Sequence, residues 1–192
     1  MVTKLNGLIL PNKVIDKMKN FVDTTKTTKV ELGFSLCKEE DSDIIKDGSE
    51  CTGTVCSVKI RPGCFTEKET YLGNFHTHPT AGPTMSSADM STSCSTGISC
   101  VGSAKTNEIK CYLRETDPKS CSLEVEPLKR QRELLDARTE TINELLKSSN
   151  VLIKPGLTQL IKTITQQQIE MREYDIRKKE ILEKNFKEIN VR

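Results

Sequence analysis

Phe75-His76-Thr77-His78-Pro79, followed after a breaker-rich loop by Ser86-Ser87-Ala88-Asp89, is the stretch on which the reading of this 192-residue chain turns. The chain contains two histidines, and they stand two residues apart. A strand is predicted from Tyr71 to His78, and on a strand positions i and i+2 project from one face, so both imidazoles can converge on one metal ion. The plainer alternative is a pair of exposed histidines. Ser86 and Asp89 have the spacing of a helix N-terminal cap. Residues three apart also share a helix face, so the same cap can aim both side chains at the imidazoles. A His, His, Asp set would leave a fourth position open on zinc, which separates catalytic from structural sites.

Outward from this stretch the chain alternates strands and helices. A helix is expected after Leu8-Ile9-Leu10, with Pro11 in its first turn, Val14, Ile15, Met18, Phe21 and Val22 on one face, and the Thr24 to Thr28 stretch ending it. Val30 to Cys37 alternates as a strand with Val30, Leu32, Phe34 and Leu36 on the apolar face, so Glu31 points the other way. Residues 38 to 50 read as a solvated loop and Thr54 to Ile60 as a strand. Ile98 to Ser103 and Glu108 to Arg114 read as a hairpin that places Cys100 opposite Cys111.

At Pro127 the composition changes, which predicts a domain of residues 1–126 followed by a helical hairpin over 127–192. Its helices are expected over Leu128 to Ser148 and from Leu157 to about Asn190, separated by a Lys154-Pro155-Gly156 turn. In the second helix Leu157, Leu160, Ile164, Met171, Tyr174 and Ile181 form a heptad-like seam interrupted by Gln167 and Lys178. Glu173 and Arg177, Asp175 and Lys179, Glu180 and Lys184, and Glu183 and Lys187 have the order favourable to pairing along a helix. Such a hairpin can pack on the rest of the chain or serve self-association or partner binding.

Hydrophobic residues at 35%, aromatics at 4% and no Trp predict an aliphatic core of ordinary size. No apolar run approaches the ~18 residues of a membrane span, and no signal peptide is read at the start, so a soluble, cytoplasmic protein is expected. A net charge of +2 with few aromatics argues against nucleic acid as a partner. The eight cysteines, at 37, 51, 56, 64, 94, 100, 111 and 121, form no Cys-x-x-Cys pair. They are either buried thiols or disulfides of the kind found inside hyperthermophiles, with Cys100 and Cys111 the first candidate pair.

Together, His76, His78, Ser86 and Asp89 resemble the His-x-His-x7-Ser-x-x-Asp signature of the JAMM metalloproteases, the catalytic branch of the MPN (JAB) domain superfamily. Gly73 and Pro79 resemble the usual flanks, and the likeness covers roughly residues 10 to 120. It implies an α/β fold with a mixed, cytidine-deaminase-like sheet flanked by helices, and one zinc ion per chain held by His76, His78 and Asp89. It also implies an upstream glutamate as general base. Glu31 fits that role, ahead of Glu39, Glu40 and Glu50, which lie in the polar loop or at its edge. Ser86 would hydrogen-bond the developing oxyanion. The activity implied is hydrolysis of peptide or isopeptide bonds, releasing ubiquitin or a ubiquitin-like modifier from lysine.

The rival within the same fold is a DNA-repair-associated or non-catalytic scaffold protein. A nucleobase deaminase would need His-x-Glu and Pro-Cys-x-x-Cys elements, which the sequence lacks. A Ser-His-Asp or Cys-His hydrolase would have to recruit one of the two neighbouring histidines as its base.

Overall fold

The computed structural model describes residues 3–52, 63–147 and 154–191. The chain opens with a hairpin, β1 (Thr3–Leu5) and β2 (Leu8–Leu10), turned by Asn6-Gly7 with both residues at positive φ. Helix α1 (Asn12–Thr28) follows, with Pro11 as its N-cap rather than in its first turn. The helix runs through the threonines and ends at Thr28, with the hydroxyls of Thr24, Thr27 and Thr28 donating to carbonyls one turn back. Lys29 stops the helix in the left-handed conformation.

A mixed six-stranded sheet forms the centre, in the order β4 (Ile45–Thr52), β3 (Leu32–Glu39), β5 (Glu69–His78), β6 (Ile98–Ser103), β7 (Ile109–Arg114) and β8 (Phe186–Val191). Only β5 and β6 run parallel among the described pairs. Parallel neighbours need a crossover, supplied here by α2 (Ser87–Thr96). That connection returns the start of α2 to the carboxyl end of β5, where the two histidines lie. Gly97 ends α2 at a φ of 100°. Gly73 lets β5 and β6 approach, since a Cβ there would stand 1.8 Å from the Ile98 carbonyl oxygen.

Two cores lie on opposite faces of this sheet. On one, Val14, Ile15, Met18 and Val22 of α1 pack against Phe34, Leu36 and Phe75. On the other, Met90 of α2, Leu128 and Leu135 of α3 (Pro118–Lys147), and Tyr174, Ile181 and Leu182 of α4 (Lys154–Asn185) pack against Val101 and Tyr112. Strand β3 is buried on both faces from Leu32 to Cys37, so it reads as a continuous rather than a half-exposed strand.

Several sequence expectations are corrected. Part of the expected 38–50 loop is strand β4, an edge strand whose inward Ile45 is buried while its other residues are mostly polar. The expected strand from Thr54 to Ile60 lies outside the described residues. Pro127 does not start a helix but sits inside α3, which begins at Pro118. Proline removes a bond to the carbonyl four residues back, and both Pro127 and Leu123 face solvent, where water can replace it. Lys154-Pro155-Gly156 is the start of α4, not a turn.

The last helix stops at Asn185 rather than near Asn190. Asn185 receives the Thr116 hydroxyl at 2.6 Å and donates to Glu124 at 2.9 Å and to the Ile181 carbonyl at 3.0 Å. Phe186 to Val191 then pairs with β7 as the sixth strand. The expected acid-before-base pairs along α4 give way to links between helices, Arg138 with Glu170 and Lys184 with Glu124, and to a Lys179–Glu183 pair. Gln167 interrupts the seam because its amide donates across to the Leu135 carbonyl at 2.7 Å.

The cysteines of the described residues are oxidised, including the expected Cys100–Cys111 pair, whose register across β6 and β7 is the one read from the sequence. Cys37–Cys64 and Cys94–Cys121 add two further bridges, the latter tying α2 to α3. No helix among the described residues is long and apolar enough to cross a membrane.

Candidate metal centre

The alternation of β5 sorts its side chains by face. Phe75 enters the α1 core, and Thr77 meets Thr25 of α1, with hydroxyls 2.6 Å apart. Asn74, His76 and His78 therefore project from the opposite face, toward the start of α2. His76 is fully buried and His78 nearly so.

Each imidazole is oriented through its Nδ1. His76 Nδ1 donates to Asn74 Oδ1 at 3.3 Å, and His78 Nδ1 donates to the Gly82 carbonyl at 3.0 Å. Bonds of this kind fix the tautomer, leaving each Nε2 as a lone-pair donor. The two Nε2 atoms face each other at 3.2 Å. Asp89 closes the set, with Oδ1 at 3.3 Å from His76 Nε2 and Oδ2 at 3.8 Å from His78 Nε2. Three electron-rich groups turned inward at these distances repel one another unless a cation or a proton sits between them.

The residues fit a zinc-like ion. The ligand atoms of His76, His78 and Asp89 lie within 4.8 Å of one another. In a tetrahedral site with bonds of about 2.0–2.1 Å, ligand atoms stand about 3.3 Å apart, close to two of the three separations found. Two imidazoles and one carboxylate suit a borderline divalent metal. The other donor group, Cys37, Cys64 and Glu69, does not, because its sulfurs are joined in a disulfide.

Helix α2 begins with a full capping box. Ser86 Oγ accepts the Asp89 N–H at 3.1 Å, while Asp89 Oδ2 accepts the Ser86 N–H at 2.7 Å. The cap thus aims Asp89 at the imidazoles. Burial opposes ionisation of Asp89, yet His76, His78 and Ser86 outweigh it and hold its carboxyl well below the usual range. Burial likewise opposes protonation of His78, but Asp89, the Gly82 carbonyl and Glu31 keep its pKa raised.

Glu31 immediately precedes β3. Gly33 pairs with His76, and extending that antiparallel register places Glu31 opposite His78, on the same face of the sheet. Burial raises the pKa of Glu31, partly offset by His78 and His76 and reinforced by Asp89, so its carboxylate belongs to the same electrostatic cluster. The structure therefore brings all five sequence-derived residues, Glu31, His76, His78, Ser86 and Asp89, to one place.

Sequence reading missed Asn74 and Gly82, which orient the imidazoles. Asn74 was findable, since it lies two residues before His76 on the same strand face. It also missed Lys178 of α4, nearly ninety residues away in sequence, whose ammonium is attracted by the Asp89 carboxylate. Compared with known proteins, the chain matches no family model and no curated sequence.

Proposed function

We propose that this chain is a zinc-dependent hydrolase of peptide or isopeptide bonds, of the JAMM type within the MPN superfamily, acting on ubiquitin-like conjugates. The observation that carries the reading is the convergence of two tautomer-fixed imidazoles and a capped aspartate beside an independent, partly buried glutamate. A merely structural site has no need of that second acid. The family resemblance of the motif adds the substrate class.

His76 Nε2, His78 Nε2 and an Asp89 oxygen would hold one zinc ion. Zinc bound there supplies Lewis acidity and acidifies water to a pKa of about 7. Glu31 takes up a proton on its carboxylate and hands it to the departing amine, a task suited to an acid whose pKa is raised by burial. Ser86 Oγ accepts from the Asp89 amide, so its own hydrogen can turn from the Asp89 carboxylate to a substrate oxygen that gains charge. Asn74 and Gly82 keep both rings from rotating during the reaction.

The test is cleavage of isopeptide-linked and linear ubiquitin-like fusions by zinc-loaded protein, with Glu31→Gln as the matched control. Cleavage by wild type alone supports the reading. Inactivity of both proteins at full zinc occupancy would sink it in favour of a DNA-associated or scaffold role.

A further inference from the structure

Lys178 is the seam position that the packing of α4 does not explain. Tyr174, one turn earlier, and Ile181 and Leu182, one turn later, are buried in the second core. Lys178 shares their face and is half-buried, whereas its neighbours Ile176, Arg177 and Lys179 are exposed. Among the described residues it makes no hydrogen bond or ion pair; burial lowers its pKa, which Asp175 and Asp89 oppose and Arg132 reinforces.

A cavity of about 370 Å³ opens beside it. Its apolar lining is Tyr112, Leu182 and Phe186, and it is also lined by Thr84, which belongs to the loop that joins His78 to Ser86. Tyr112 holds that loop in place by donating to the Pro83 carbonyl at 2.9 Å. Two acids on the wall already have cations: Glu188 is 2.7 Å from Lys110, and Glu183 is 3.8 Å from Lys179. Asp175, on the exposed side of α4, is the third. With a divalent cation on the triad, Asp89 and Glu31 would balance its two charges, and Lys178, only partly offset by the exposed Asp175, would gain from a bound anion.

We propose that this cavity is a substrate subsite of the same centre, which takes an apolar group bearing a carboxylate and uses Lys178 as the counter-ion. The inference rests on the hydrolase reading and adds to it: the residue beside the scissile bond carries a carboxylate, from either a free chain terminus or an acidic side chain. Lys178 is a specificity residue in this account, not a proton donor.

The test is an NMR titration of the full chain, metal-free and zinc-loaded, following the Leu182 methyl and Phe186 ring resonances. The probes are N-acetylleucine against N-acetylleucinamide for a terminal carboxylate, and N-acetylglutamate α-amide against N-acetylglutaminamide for a side chain. At least one acid is expected to bind about tenfold or more tightly than its amide, as a charge-assisted contact requires. Lys178→Met should abolish that difference and Lys178→Arg retain it. Equal binding of acid and amide in both pairs, or selectivity that survives in Lys178→Met, would overturn the subsite. Carboxylate selectivity without cleavage of any fusion would leave the anion site standing and remove the hydrolase reading; cleavage without selectivity would do the reverse.

Discussion

The backbone amide of Leu32 donates to the hydroxyl of Thr77 at 2.9 Å, which ties the start of β3 to the strand residue between the two histidines. Glu31 is the next residue back along the chain. Its position beside the imidazoles thus depends on a buried hydroxyl that points to the other face of the sheet and also meets Thr25 of α1.

Thr77→Val keeps the shape but leaves the Leu32 amide and the Thr25 hydroxyl without their partner. A loss of about 1–3 kcal/mol is expected in denaturant unfolding, with Thr77→Ser close to wild type. Zinc affinity should be retained, because neither imidazole is touched. The turnover rate should fall as Glu31 loosens, which a kcat measurement on the two variants will show.

Glu31→Gln should lower kcat by about 10²- to 10⁴-fold, the usual range for removing a positioned general base. One zinc per chain should remain by native mass spectrometry, since Glu31 is not part of the triad. Loss of metal together with activity would reassign Glu31 as a ligand.

Ser86 has two roles that can be separated. Ser86→Ala should cost about 1 kcal/mol through the lost cap, whereas Ser86→Gly should cost only a few tenths. Both should reduce kcat by about 10²- to 10³-fold if the hydroxyl donates to the oxyanion. Activity that tracked stability across the two variants would leave only the capping role.

Much of this arrangement is legible in the sequence. The period-2 pattern of β5 put His76 and His78 on one face, and the Ser86–Asp89 spacing announced a cap that the structure forms in full. The Cys100–Cys111 register followed from the hairpin alone. The failures have physical causes. Proline at an exposed helix position leaves a carbonyl that water can satisfy, so Pro127 was a poor marker of where the helix starts. Phe186 to Val191 carries helix-compatible Lys and Glu, and it is a strand because the open edge of β7 lies beside it. The electrostatic link between Lys178 and Asp89 arises from tertiary packing, which no local pattern encodes.

The bridge between α2 and α3 closes a loop with a sequence separation of 27. Chain-entropy reasoning gives it about 3–4 kcal/mol. The double variant Cys94→Ala with Cys121→Ala should lose stability of that order by chemical denaturation, without leaving a free thiol.

Lys17 pairs with Asp47 and, at 2.8 Å, with Glu50. Burial opposes ionisation of Asp47, but the Lys17 ammonium outweighs it and lowers its pKa. A depressed carboxyl pKa contributes stability above the unfolded value of about 3.9, and that contribution is lost as pH falls through the folded value. Both partners are about one-fifth exposed, so about 0.5–1 kcal/mol is expected. Unfolding curves from pH 6 down to pH 2 should show Asp47→Asn losing this part of the acid dependence.

The central claim is that His76, His78 and Asp89 hold a metal ion, and anomalous diffraction from a crystal grown with zinc tests it most directly. One peak is predicted among His76 Nε2, His78 Nε2 and an Asp89 oxygen, at about 2.0–2.2 Å from each. Absence of density there at saturating zinc, with the imidazoles still paired, would contradict the account.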